Sequence, residues 1–306
     1  MSLIYKILWV DDHKDEFEKE EKALKKFIEE LFFVPKIDFC EDVASSKKYI
    51  DKEKYDVIFS DYNINEEKGD EFISYIRGKS VNTEVLFYSG QSQLPSGRLD
   101  RVTFFFESGS HREERLLKKM KELIFLTVAK LNDLTQLRGL VMSEVSELDV
   151  MMKEIVVGYC KKNENDEKEL RNYIIGNIEE RLKRSLDFSQ SNCDKKCFHE
   201  WKNRTIQEVV FEQNFDSYTT ARALNHIIKT KRLGIEKFLS NYDTEIIKNR
   251  NKLAHCKSKL KENGIEVLET AEKDKEYSSS EINELRKNIL KYRKIFKELL
   301  EKIQNN

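Results

Sequence analysis

The chain has 306 residues, with 55 Lys+Arg against 56 Asp+Glu and a net charge of −1. A length prior of ~100–200 residues per domain points to two domains, and the balanced charge excludes a basic nucleic-acid coat or an acidic tail as a whole-chain reading. Apolar runs reach only about seven residues against the ~20 of a membrane-spanning helix, no basic-then-apolar leader opens the chain, and five scattered Cys fit a reducing cytosol.

The first ~130 residues switch period repeatedly. Ile4 to Val10 is a short β-branched and aromatic run ending in Asp11-Asp12. A helical stretch follows over 15–33, then a brief strand at 36–39 and a short helix at 43–50. Asp56 to Ser60 reads as a buried strand with Asp61 after it, and Phe72, Ile73 and Ile76 mark another helix. Glu84 to Tyr88 is a strand ending at Ser89-Gly90, and Val102 to Phe106 is a fifth. Continuous apolar strands alternating with helices predict a parallel sheet covered on both faces, with its ligands at the carboxyl ends of the strands.

From His111 the pattern turns helical towards Cys160, as one long helix or as two broken near Asn132-Asp133. Further helices are expected over 166–186, 198–213, 218–240, 243–257 and 280–304, the last opened by serines 278–280. Residues 188–197 and 258–279 read as loops, the second with room for a short hairpin around Gly264-Ile265-Glu266-Val267. Both prolines, Pro35 and Pro95, lie in the first third, so the remaining 211 residues are free to run as long helices. Charge divides with the pattern: residues 1–130 hold 22 basic and 26 acidic side chains, and residues 131–306 hold 33 and 30. The expected organisation is a domain over 1–130, a helical connector over 131–160 and an all-α helical-bundle domain over 161–306.

Three carboxylates stand at strand ends: Asp11, Asp12 and Asp61. If the first and third strands are adjacent, they converge on one edge and repel one another, which calls for a cation; hard oxygen donors suit Mg²⁺. Ser89 ends the fourth strand on the same edge. Acids, Mg²⁺ and a hydroxyl are equipment for phosphoryl transfer to a carboxylate. The plainer reading makes the three acids ordinary strand-end and cap residues.

The stretches ILWVDD, DVIFSDYNI, GDEFISYIR and VLFYSG resemble the receiver domain of two-component response regulators over residues 1–130. The resemblance implies a flavodoxin-like five-stranded parallel sheet, Asp61 as phosphoacceptor, and Asp11 and Asp12 with Asp61 as Mg²⁺ ligands. It further implies Ser89 as the switch hydroxyl, Phe104 or Phe105 as the switch aromatic, and a histidine kinase or other phosphodonor as partner. Two positions depart from the family: Asn65 replaces its usual proline, and Glu107 stands where a lysine normally follows the fifth strand, with Arg112 as a substitute cation from another backbone position. A receiver fold that only docks a partner is the alternative.

In the second half, Arg250-Asn251-Lys252-Leu253-Ala254-His255 stands out. A guanidinium binds phosphate bidentately, and an imidazole titrating near neutrality moves a proton to or from a ribose hydroxyl, so Arg plus His suffices for metal-independent phosphodiester cleavage. The segment resembles the R-x4-H motif of the HEPN superfamily, an all-helical fold that includes many ribonucleases. That resemblance implies Arg250, His255 and Asn251 as catalytic residues, RNA as substrate and a homodimer with a composite site. The joint expectation is a cytoplasmic, receiver-controlled endoribonuclease, with stress response or phage defence as its setting. Its alternatives are a non-enzymatic signalling adaptor, in which the motif is a structural helix end, and a nucleotide-binding partner of a nucleotidyltransferase.

Other motifs have bland readings. Cys193, Cys197 and His199 are spaced too loosely for zinc without a fourth ligand and read as a polar loop. Cys256 beside His255 points about 100° away from it on a helix. The basic runs at 181–184 and 229–232 read as solvated helix faces, with RNA phosphate contact as the alternative. No Gly-rich phosphate loop is present.

Overall fold

The protein is described here by a computed structural model covering residues 3–64, 67–90, 101–131, 134–161, 164–185, 204–211, 215–260, 266–270, 276–277 and 279–305. It divides into two compact units, Met1–Leu137 and Arg138–Asn306. Among the described residues, no helix is long and apolar enough to cross a membrane.

The first unit alternates strand and helix: β1 (Ile4–Val10), α1 (Lys14–Glu30), β2 (Val34–Cys40), α2 (Val43–Lys52) and β3 (Val57–Asp61). A pair of two-residue antiparallel strands, β4 (Asn63–Ile64) and β5 (Glu67–Lys68), precedes α3 (Gly69–Gly78), β6 (Glu84–Ser89), β7 (Val102–Phe106) and α4 (Arg112–Leu131). Five strands pair in parallel in the order β2-β1-β3-β6-β7, so β1 and β3 are neighbours, as the convergence of Asp11 and Asp61 requires. The alternation of side chains along each strand sorts the two faces. Leu8, Val10, Ile58, Val85 and Phe87 join Val43, Ile50, Phe72 and Ile76 from α2 and α3 in one core. Trp9 turns to the other face, where it meets Phe17 of α1 edge-on. Asp42 caps α2, its carboxylate accepting the Ser45 amide at 2.6 Å.

The second unit is mostly helical: α5 (Leu134–Cys160), α6 (Glu164–Ser185), α7 (Ile206–Val210) and α8 (Ser217–Thr230) are followed by α9 (Phe238–Tyr242). A π-helical turn (Asp243–Ile247) leads without a break into α10 (Lys248–Ala254), and α11 (Ser279–Asn305) closes the chain. Its core centres on Phe238, Tyr242, Tyr292 and Phe296, whose rings stack and tilt against one another.

Two expectations differ from this arrangement. The helix expected over 218–240 stops at Thr230, and Arg232 (φ 50°), Gly234 (φ 74°) and Lys237 (φ 49°) turn the chain through left-handed backbone before α9 starts. The reversal delivers Phe238 to the aromatic core. The stretch read as loop over 258–279 contributes to a three-stranded antiparallel sheet, β8 (Lys257–Leu260), β9 (Glu266–Glu269) and β10 (Glu276–Tyr277). Gly264, Ile265 and Ser278 lie outside the described residues, as do Asn65, Asn132 and Asp133.

Candidate functional site

Asp11, Asp12 and Asp61 stand at the carboxyl edge of the five-stranded sheet, where β1 and β3 end side by side. Asp11 is 1% exposed. Its Oδ1 accepts the His13 amide at 2.8 Å, and its Oδ2 accepts the Tyr88 hydroxyl. Asp12 is partly exposed, and its carboxylate lies 2.8 Å from His13 Nδ1. Among the described residues, the metal-capable group here is Asp11, Asp12 and His13, whose ligand atoms all lie within 4.8 Å of one another; Asp61 is not part of it.

Asp61 is half-buried, and its Oδ1 accepts the Asn63 amide at 3.0 Å. Burial first, and then the charges of Asp11 and Asp12, push its carboxyl up to about 6; the Asn63 amide and the Arg112 guanidinium pull the other way. Arg112, half-buried at the start of α4, therefore acts electrostatically on Asp61. Glu107, the residue directly after β7, is ion-paired with Arg115.

Ser89 is 3% exposed, and its hydroxyl accepts from Asn63 Nδ2 at 3.2 Å. Phe104 and Phe105 face opposite sides of the sheet, as strand period demands. Phe104 stacks on Phe87 and Phe106 at 6.0 and 5.4 Å between centroids, while Phe105 is buried opposite Tyr88 in the register. The sequence reading missed Tyr88, Asn63 and His13. Tyr88 carries no local signal beyond its place one residue before Ser89.

In the helical unit, Arg250 lies in α10 and His255 is that helix's C-cap residue. Arg250 donates through Nη2 to Ser217 Oγ at 3.0 Å, and Ser217 in turn donates to Asp149. Three helices, α5, α8 and α10, thus meet at a polar cluster. Burial pushes the Asp149 carboxyl up; the Ser217 hydrogen bond and then Arg250 draw it down. Among the described residues, Asp149 Oδ1, Tyr242 Oη and Arg250 Nε are buried without a hydrogen-bond partner. His255 and Asn251 are exposed. Arg138 of α5 caps the end of the motif helix, donating to the carbonyls of Ala254 at 2.7 Å and Cys256 at 3.0 Å. The sequence reading missed Asp149, Ser217 and Arg138, which are distant in sequence from the motif.

The remaining motifs resolve simply. Cys256 is buried, burial pushes its thiol up, and Sγ donates to the Lys252 carbonyl at 3.2 Å. Lys231 pairs with Asp166. Cys193, Cys197 and His199 lie outside the described residues, as do the side chains of residues 181–184.

Residues 7–98 match the family model of the response regulator receiver domain. No curated protein matches the chain. Solved structures similar to it include the response regulator TrrA from Thermotoga maritima in complex with Mg²⁺-BeF, at 21% identity and a TM-score of 0.32, covering 39% of this chain and 98% of that one. Another is the N-terminal domain of a response regulator/sensory box/GGDEF protein from Carboxydothermus hydrogenoformans, at 17% identity and a TM-score of 0.33, covering 42% of this chain and 99% of that one. A third is the signal receiver domain of a LuxO repressor protein from Vibrio parahaemolyticus, at 17% identity and a TM-score of 0.33, covering 43% and 97%. The family match, on a five-stranded parallel sheet with this acid pocket, supports a response regulator receiver domain in the first unit.

Proposed function

We propose that this protein is a receiver-controlled helical effector in which Asp61 accepts a phosphoryl group from a phosphohistidine donor. The observation that carries this reading is the place of Asp61 on the sheet edge it shares with Asp11 and Asp12: burial first, and then the charges of these two acids, push its carboxyl up to about 6, which a cation there would relieve. Carboxylate oxygens suit a hard cation, and Asp11 has both of its oxygens already oriented by protein donors. Bound between Asp11, Asp12 and Asp61, Mg²⁺ would offset the charge on the phosphoryl oxygens. Asp61, mostly ionised at neutral pH, attacks phosphorus; the phosphorus–nitrogen bond breaks and the donor imidazole leaves. Ser89 lies where its hydroxyl can turn from Asn63 to a phosphoryl oxygen. Arg112 supplies the positive charge that the absent lysine would carry. Treatment with acetyl phosphate or beryllofluoride tests this: the wild type responds and Asp61→Asn does not.

For the helical unit we propose a HEPN-like, metal-independent endoribonuclease that acts as a homodimer in the cytoplasm. Arg250 holds the scissile phosphate, His255 moves a proton at the ribose 2′-hydroxyl or the leaving 5′-oxygen, and Asn251 orients one of them. The 2′-oxygen attacks phosphorus and the bond to the 5′-oxygen breaks. The exposed His255 at a helix end, between the two residues whose carbonyls Arg138 caps, supports this reading, as does a π-helical turn directly before the motif helix, a feature frequent at functional sites. RNA cleavage in EDTA, lost in His255→Ala, is the expected result; no cleavage of any RNA by the folded dimer sinks the ribonuclease. A second reading, a non-enzymatic adaptor, is favoured by one observation: Arg250 is engaged with Ser217 and Asp149 inside the helical unit.

A further inference from the structure

The phosphoryl chemistry leaves one buried hydroxyl in its own pocket without a task. Tyr88 is fully buried and stands opposite Asp61 in the β3–β6 register. Its phenol donates to Asp11 Oδ2 and accepts from Trp9 Nε1 at 2.6 Å. Trp9 is itself buried, with Phe17 and Phe59 edge-on to its ring at 5.3 and 5.9 Å. The Trp9 N–H, the Tyr88 O–H and the Asp11 carboxylate therefore form one chain running from the core to the acid pocket.

The consequence lies at Asp11. A free carboxylate rotates and spreads its lone pairs over many directions. Here Oδ2 is held by Tyr88 and Oδ1 by the His13 amide, so the remaining lone pairs keep one orientation. Groups that orient a metal ligand in this way typically change affinity by ~10–100-fold when removed. A phenylalanine would fill the same buried space, so the hydroxyl has a role that packing alone does not require.

We infer that Tyr88 is a positioning residue for the cation site, and that Trp9 behind it reports cation occupancy. This rests on the receiver reading of the acid pocket. A cation at Asp11 withdraws electron density from the carboxylate, which weakens the bond it accepts from Tyr88, and the change passes to the indole N–H.

The test is a Mg²⁺ titration of the full chain by calorimetry and by tryptophan emission. The background is Trp201→Phe, which leaves Trp9 as the sole tryptophan of the two. Tyr88→Phe is expected to weaken Mg²⁺ binding about tenfold and to shrink the emission change. Trp9→Phe keeps the Tyr88–Asp11 bond and is expected to bind Mg²⁺ within about twofold of wild type. Equal affinity in Tyr88→Phe and wild type overturns the inference, and so does an equal loss in both variants, which would trace the effect to packing. If Tyr88→Phe fails to fold, Trp9 emission that ignores saturating Mg²⁺ in the otherwise wild-type chain overturns it. A wild type that takes no Mg²⁺ by calorimetry overturns the receiver reading itself, a distinct result.

Discussion

Replacing Asp61 by Asn should stabilise the first unit at neutral pH. Asp61 is held at about 6 in the fold against an ordinary 3.8, first by burial and then by Asp11 and Asp12. At ~1.4 kcal/mol per unit of pKa, that gap amounts to about 3 kcal/mol of strain in the ionised fold. Asp61 is only half-buried, so solvent screens part of it, leaving about 1–3 kcal/mol. The sign follows from linkage. Between about 4 and 6 the folded state binds more protons than the unfolded state, so this group's contribution to stability falls as pH rises through that window. Asparagine carries no charge and removes the penalty. Urea denaturation of wild type and Asp61→Asn at pH 4, 5, 6 and 7 reads the difference directly. The variant should be more stable at pH 7, the gain should shrink towards zero near pH 4, and saturating Mg²⁺ should narrow it at neutral pH. A gain that is absent at pH 7, or is the same at every pH, refutes the reasoning.

Other perturbations separate structural from chemical roles in the helical unit. Arg250→Ala removes the guanidinium from Ser217 and Asp149; it should cost about 1–3 kcal/mol in urea denaturation. His255→Ala, at an exposed site, should stay within ~0.5 kcal/mol of wild type, so His255 is the cleaner probe of RNA cleavage. Gly158 lies on α5 where an added Cβ would sit 2.9 Å from Ile303 Cγ2 of α11. Gly158→Ala should therefore lose or cancel the helix-propensity gain of ~1 kcal/mol, whereas Gly176→Ala, with open space around it, should gain it; thermal melts of the pair decide.

Much of the first unit is legible in sequence because its strands are continuous apolar runs and its acids end them. The parallel sheet follows from that pattern, whereas the neighbouring of β1 and β3 was only a condition of it, which the strand order meets. Tyr88 was not legible as a partner of Asp11, since the contact joins residues 77 apart and depends on how two strands register across a third. The choice between Phe104 and Phe105 was likewise open, because strand period puts them on opposite faces without saying which face matters. In the second unit, the stretch around Lys231 to Lys237 is rich in good helix formers, and Gly234, at φ 74°, is the local signal for its break, which the packing of Phe238 on Tyr292 and Phe296 then uses. The motif helix was visible from Arg250 to His255. The groups that grip it, Asp149, Ser217 and Arg138, lie on other helices, 116 residues away in the case of Arg138 and Ala254.

The central claim is that the acid pocket takes a phosphoryl group onto Asp61. Incubation with acetyl phosphate and Mg²⁺, followed by borohydride trapping and peptide mass spectrometry, tests it most directly. The account predicts modification of the peptide carrying Asp61, dependent on Mg²⁺ and absent in Asp61→Asn. Modification elsewhere, or none in a folded chain that binds Mg²⁺, would contradict it.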